Sequence, residues 1–357
     1  MGGLSGMCAA AVMGIALAPA PPGNTATLAA STPGPAPVTP EHVSLADRYS
    51  RAHGGLALVI EQDGQVVCDD HSGLAADAPW RIYSGTKNFL AVTFLIAAQN
   101  GLLSLGEPAS LTLTEWRHDR RRTITIRQLL NQTSGLDPSA GMIGDSRDQM
   151  AAAVHARLRA APGAEFHYGP ANYQALGEIL RRKLHASGLS VDDYMHRVIF
   201  DPLDIDIAAW AHDDAGNPLL HAGIQLTTDN WLKFARFLLH HGTVNGRALL
   251  TPASFAQLFQ GTSANPAYGL SFWINRPEDG GQPMRDLQPA MDGEQLYAGG
   301  PRGLYAAEGT DKQRLYVIPS RDLVIVRFSE GGHFSDQDFL SRLLTGQPKP
   351  DAHTHQL

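Results

Sequence analysis

Two hairpin patterns stand near opposite ends of this 357-residue chain, and most of what lies between them reads as helix. Toward the N-terminus, Leu56–Glu61 and Gln65–Cys68 flank Asp63-Gly64. That dipeptide suits a two-residue turn needing positive φ at both positions. Toward the C-terminus, Arg314–Ile318 and Leu323–Phe328 flank Pro319-Ser320-Arg321-Asp322. Such distant strands share one sheet only if the chain returns to its beginning. The pattern predicts an α+β fold: one antiparallel sheet built from both termini, flanked by helices, with a mainly helical region inserted. Thr39-Pro40 opens a helix over 40–52, and Ser335 with Asp338 opens a last one through Leu344. Helical spacing or capping marks 84–100, 125–132, 171–186, 190–200, 228–241 and 252–260. One domain is expected over 39–345, its α/β part 39–83 and 265–345 and its helical part 84–264, followed by a polar tail at 346–357.

Composition narrows the classes. Hydrophobic residues make up 43% and charged residues 18%, as in globular proteins. A net charge of −7 gives no reason to expect nucleic acid or an anionic membrane as partner. The cluster Arg117, Arg120, Arg121 and Arg122 holds Asp119 within it and reads as a solvated loop face. Residues 7–18 form an apolar run of signal-peptide length, too short to span a bilayer. Residues 1–6 carry no Lys or Arg, and Met7 stands where a lipobox before Cys8 would need a small residue. Export to the periplasm or medium is the expectation, with 19–40 as a Pro/Ala-rich linker. Removal of Cys8 would leave Cys68 alone, so no disulfide framework is expected. Nothing later is long and apolar enough to cross a membrane.

The chemistry-bearing feature is Ser84-Gly85-Thr86-Lys87, which opens the apolar helical segment beginning at Phe89. Positions three apart share a helix face. Ser84 Oγ and the Lys87 amine can therefore meet without help from the rest of the fold. A serine hydroxyl becomes a good nucleophile only when a nearby base takes its proton. Lysine serves once burial or a neighbouring cation lowers its pKa. Free backbone N–H groups at the helix start would favour developing negative charge. Alone, Ser-x-x-Lys is common by chance and fits an N-cap serine with a solvated lysine.

Two further segments bear on it. Tyr168 precedes Gly169-Pro170 on a turn before the helix at 171–186, where its hydroxyl can enter a cleft. Beside a lysine ammonium its pKa would fall, and the phenolate could act as a base. Packing with a capping hydroxyl is the ordinary alternative. Tyr305-Ala306-Ala307-Glu308-Gly309-Thr310 leads into the C-terminal hairpin, and a glycine-bearing strand there could offer an N–H to an oxyanion.

Together these segments resemble the penicillin-recognising serine hydrolases, in particular the class C β-lactamase-like branch with its esterases, D-stereospecific peptidases and 6-aminohexanoate-dimer hydrolases. The resemblance runs from about 40 to 345. Ser84-Gly-Thr-Lys87 stands at the nucleophile motif. Ile124 through Leu136 is similar to the segment I-T-I-R-x-L-L-x-H-T-S-G-L. Phe166-His-Tyr168 through Tyr173 and Gly177 is similar to F-x-Y-S-N-x-x-Y-x-L-x-G, and Tyr268–Trp273 to Y-G-x-G-W. The resemblance implies an acyl-enzyme on Ser84, with Lys87 assisting deprotonation and Tyr168 as general base. It also implies an oxyanion hole from the N–H of Ser84 and one near Glu308-Gly309.

The departures carry weight. Gly169-Pro170 replaces Ser-Asn after the tyrosine, and Asn172 could supply the missing amide from another position. Gln132 stands at the family's histidine. The Lys/His-Thr-Gly strand triplet reads Ala307-Glu308-Gly309, which would repel a carboxylate or attract an ammonium group. Efficient β-lactam hydrolysis is therefore not expected, and a neutral or cationic small ester or amide fits better. The alternatives are a D-amino-acid peptidase or amidase, a β-lactamase of the same family, or a non-catalytic sensor with this fold. No metal site or cofactor is expected: the histidines lack zinc spacing, and there is no Walker loop, dinucleotide fingerprint or G-x-S-x-G elbow. The sequence does not fix the oligomeric state.

Overall fold

The computed structural model describes residues 37–141, 147–276 and 295–349. The signal-like segment, Cys8, most of the linker and the tail from 350 onward lie outside the described residues. Nine helices and eleven strands are named among the described residues. The helices are α1 (Pro40–Ala52), α2 (Thr86–Gln99), α3 (Ile126–Leu130), α4 (Gln149–Val154), α5 (Ala171–Leu184), α6 (Val191–Met195), α7 (Thr228–Leu239), α8 (Pro252–Gln257) and α9 (Asp336–Thr345). The strands are β1 (Gly55–Gln62), β2 (Gln65–Asp70), β3 (Trp80–Arg81), β4 (Ala209–Trp210), β5 (Ile224–Leu226), β6 (Thr243–Val244), β7 (Arg247–Ala248), β8 (Trp273–Ile274), β9 (Tyr305–Gly309), β10 (Gln313–Ile318) and β11 (Leu323–Ser329).

The main sheet has the order β2-β1-β11-β10-β9-β8 and is antiparallel throughout. Its first and last hairpins meet where β1 pairs with β11, Ile60 opposite Ile325. The first hairpin turns at Asp63 and Gly64, with φ of 50° and 70°, as a two-residue turn requires. Alternation along the strands feeds two cores. Val59, Leu315, Val317, Val324 and Val326 join a core with α2 and α7. Leu58, Ile60, Tyr316, Ile318 and Ile325 face the other way, into a core with α1 and α9. Both faces of β10 and β11 are covered, so every residue of those strands is buried.

Helix α2 is buried continuously from Thr86 to Ala97. A helix apolar all round belongs inside a bundle. Phe89 meets Phe200 and Phe234 with ring centroids at 5.3 and 4.1 Å, and Trp231 of α7 stacks on Phe328 of β11.

The helical middle is less uniform than its sequence suggests. A second, three-stranded sheet, β3-β5-β4, and the small pair β6-β7 lie within or against it. Strands of two or three residues are too short to show alternation. The segment at 84–100 starts as a 3₁₀ turn over Tyr83–Gly85. The segment at 190–200 ends in a π-turn over His196–Phe200. Helix α4, capped by Asp148, has no counterpart among the sequence expectations. The capping residues Thr39, Ser190, Thr251 and Ser335 each accept a backbone N–H as expected.

Candidate active site

Ser84 lies on the 3₁₀ turn that joins β3 to α2. The turn is held from two sides. Ile82 N donates to Ile224 O at 3.2 Å, tying it to the small sheet, and Gly85 N returns to Ile82 O at 2.9 Å. On the other side, β9 presses so close that a Cβ on Gly309 would lie 2.1 Å from Ile82 O. Only glycine allows that approach, since its own φ of −127° is open to any residue. Tyr83, just before the serine, has φ of 46°, a strained conformation that persists only where its surroundings enforce it.

Lys87 follows one turn later and is 3% exposed. Nζ donates to Ser84 Oγ at 2.8 Å and to His221 O at 2.7 Å. It also lies 4.8 Å from the ring centroid of Tyr168 and 5.4 Å from that of Tyr173. Burial pushes the amine down to about 7, because a low-dielectric site disfavours the ammonium. His221, buried against it, is pushed down to about 3, first by burial and then by the Lys87 charge. The imidazole is therefore neutral at neutral pH.

Tyr168 comes from the turn before α5. Gly169 is required there, since a Cβ would lie 2.3 Å from Pro138 O. Gln132 organises the turn. Its carbonyl accepts from His167 N at 2.9 Å. Its side-chain Oε1 accepts from Gly169 N at 3.3 Å and from Asn172 Nδ2 at 2.7 Å. The ring of Tyr168 packs edge-on against Tyr268 and beside Trp273, both at 6.0 Å. Ser84, Lys87 and Tyr168 are thus brought together as the sequence suggested. The protonation of the phenol differs from the expectation. Burial raises its pKa well above the usual value, and the hydrogen bond with Ser84 only partly opposes this. At rest Tyr168 is a phenol, not a phenolate.

Two expected substrate contacts are corrected. Asn172 does not turn its amide toward Lys87. Its Nδ2 is given to Gln132 and its Oδ1 accepts from Ser134 Oγ, so both ends serve the turn that carries Tyr168. Glu308 does not await an ammonium group. It is 8% exposed, and Oε2 lies 3.4 Å from Nη2 of buried Arg314, its direct neighbour across the β9–β10 pair. Alternation along β9 sends its side chain to the sheet face opposite Ala307.

Several participants had no sequence signature. The second partner of Lys87 is a main-chain carbonyl, which any residue at 221 would supply. Tyr173 donates to Leu130 O at 3.1 Å and shares hydrogen bonds with Tyr268 and Ser271. It stood within the quoted Tyr168–Gly177 stretch but signalled only packing. Among the described residues, no three His, Cys, Asp or Glu side chains gather as metal ligands would.

A model of the Beta-lactamase family matches residues 39–345. In sequence, the chain is 29% identical over 146 residues to Protein flp of Staphylococcus aureus (strain NCTC 8325 / PS 47), covering 36% of this chain and 29% of that protein. The match thus spans under a third of that relative's length. Among solved structures, the putative 6-aminohexanoate-dimer hydrolase from Bacillus anthracis is similar at TM-score 0.66 and 18% identity, covering 83% of this chain and 79% of that one. EstCE1, described as a hydrolase with promiscuous acyltransferase activity, is similar at TM-score 0.63 and 17% identity, covering 85% and 97%. At such identities these structural likenesses speak for the fold, which matches in its antiparallel sheet and flanking helices. The family match extends through every segment that converges on Ser84, and the chain belongs to the Beta-lactamase family, whose members are serine hydrolases.

Proposed function

We propose that this protein cleaves a small neutral ester or amide through a covalent acyl-enzyme on Ser84. The observation that carries the reading is the 2.8 Å contact between Ser84 Oγ and an amine whose pKa is about 7. Near neutral pH a large share of Lys87 is unprotonated, and a base with its pKa near the working pH is the most effective one. Lys87 Nζ takes the Ser84 proton as Oγ bonds the substrate carbonyl carbon, and the carbonyl π pair moves onto oxygen. Collapse of that adduct breaks the bond to the leaving group, which takes the proton of the Tyr168 phenol. The Lys87 ammonium, 4.8 Å from that ring, then returns a proton to Tyr168. Deacylation repeats the sequence with water in place of the serine. Tyr168 thus donates first and accepts later, a role that suits its protonated resting state. The N–H of Ser84 and that of Gly309 are the proposed oxyanion donors.

Ester or linear amide substrates accord with the lack of a cation in Ala307-Glu308-Gly309 and with the engagement of Glu308 by Arg314. A carboxylate-bearing β-lactam would find no counter-charge from that triplet. The test is a fluorophosphonate probe with mass mapping. Wild type should be labelled at Ser84. Ser84→Ala should escape labelling and lose several orders of magnitude in nitrophenyl-ester turnover, with its melting temperature unchanged. Equal labelling of both proteins rejects the assignment.

A further inference from the structure

Ser271 is a buried serine in a backbone conformation that suits glycine. Its φ is 66°, where a Cβ crowds the following carbonyl. It belongs to a tight turn in which Gly269 N donates to Phe272 O at 2.9 Å, Ser271 N donates to Gly269 O at 3.1 Å, and Tyr268 bridges to Trp273. The two residues that close this turn are those whose rings pack against Tyr168, each at 6.0 Å. Glycine at 271 would make the same turn without strain, so the side chain must add something that offsets it. It adds one hydrogen bond. Tyr173 has a single hydroxyl proton, which goes to Leu130 O at 3.1 Å. Ser271 Oγ therefore donates to the Tyr173 oxygen at 2.7 Å, as does the Tyr268 hydroxyl at 3.1 Å. Three bonds from three segments fix the far end of the Tyr173 ring. Lys87 Nζ stands over that ring, 5.4 Å from its centroid. The main chain of Ser271 also reaches the residue after the lysine, since Asn88 Nδ2 donates to Ser271 O at 2.6 Å. One residue thus joins the rings beside Tyr168, the ring beside Lys87 and the start of α2.

We propose that Ser271 is a positioning residue for the reaction at Ser84: its hydroxyl holds the Tyr173 ring where the ring face stabilises the ammonium formed on Lys87. This rests on the reading of Lys87 as the group that takes the Ser84 proton. The unprotonated amine gains little from an aromatic face. When Oγ bonds the carbonyl carbon, its proton passes to Nζ, and a full positive charge appears 4.8 Å from the Tyr168 ring centroid and 5.4 Å from that of Tyr173. Aromatic faces attract a cation within about 6 Å, most strongly where water is excluded, and Lys87 is buried. A contact that strengthens only as the proton moves raises kcat without tightening substrate binding. The strain at residue 271 is then the cost of a hydroxyl that a glycine turn would lack.

The experiment compares Ser271→Gly, Ser271→Ala and Tyr173→Phe by nitrophenyl-ester kinetics, fluorophosphonate labelling and thermal melting. Rates are taken at a pH above the Lys87 titration, so that every variant starts from the neutral amine. Ser271→Gly releases the strain as it loses the bond, and should melt close to wild type. It should nevertheless lose about 3- to 30-fold in kcat and in labelling rate, with KM unchanged within about twofold. Ser271→Ala keeps the strain, so it should lose the same rate at a lower melting temperature than Ser271→Gly. Tyr173→Phe keeps the ring but not the hydroxyl that Ser271 holds, and should lose at least as much rate. The double variant Ser271→Gly/Tyr173→Phe should be no slower than the slower single variant, because both changes break one bond. Wild-type kcat in Ser271→Gly, an effect confined to KM or to the melting temperature, or losses that multiply in the double variant would each overturn the inference. If the turn variants do not fold, Tyr173→Phe decides from the other end of the bond, and wild-type kcat there overturns it equally. Failure of the underlying reading looks different, because wild-type Ser84 itself would then escape the probe.

Discussion

At the scale of single residues, the site is an amine and an alcohol kept together by one helical turn, with a phenol brought to them from elsewhere. The amine's depressed pKa fixes a direction for pH dependence. Lys87 is unprotonated above about 7. The labelling rate of Ser84 should therefore rise through that value and level off above it, and Lys87→Met should remove both the rise and most of the rate. A flat profile in wild type would mean that another group takes the serine proton. Gln132 gives a second prediction. Gln132→Ala leaves Gly169 N and Asn172 Nδ2 without their shared acceptor, at a cost of about 1–3 kcal/mol. The loosened Tyr168 turn should lower kcat more than it raises KM, which steady-state kinetics can separate. Ser84 and Lys87 were legible in the sequence because a spacing of three is a statement about geometry. Tyr168 was legible as a candidate because Gly-Pro fixes a turn. The positions of Asn172 and Glu308 were legible, but their partners were not. Those partners, Gln132, Ser134 and Arg314, come from a separate loop and a neighbouring strand, and periodicity does not say which side chain will stand opposite.

At the scale of elements, β9 and the serine turn form one unit. The closest approach is at Gly309, where even a methyl group has no room against Ile82 O. Gly309→Ala should displace the strand from the turn. We expect a fall in labelling rate of about 100-fold, near what loss of one oxyanion donor costs, and a clear drop in melting temperature. Gly303→Ala serves as the control, because nothing lies within 4 Å of a Cβ there. Normal labelling of Gly309→Ala would show that the contact is incidental. Element identity was legible at α1, α7 and the two hairpins, where caps, long periods or turn residues marked it, but not at α4, whose Asp148 cap precedes only six residues. The strands of the small sheet were not, because two or three residues carry no period. Their role is visible only in place: β5 supplies Ile224 O to Ile82, two residues before Ser84.

At the scale of the whole molecule, the sheet closes with strands from both ends of the described chain, and α1 and α9 cover the same core. Helix α9 contributes Phe339, Leu340 and Leu343, all buried, and Asp336 to Arg314. Each such apolar side chain is worth roughly 1.5–3 kcal/mol when fully buried, and stranding a buried cation adds about 3–5 kcal/mol. That approaches the whole stability of a typical domain, about 5–15 kcal/mol. A chain ending after Gly332 should show no cooperative thermal transition by circular dichroism and no probe labelling. A cooperative melt would show that the remaining strands suffice. The clamp on the serine turn has a consequence in time as well. Its two jaws, β5 and β9, are made after Ser84, the second one much later. During synthesis, the alcohol leaves the ribosome long before the strand that completes its surroundings. On the proposed mechanism, the nascent protein stays chemically silent for most of its assembly and becomes reactive only when the last hairpin docks.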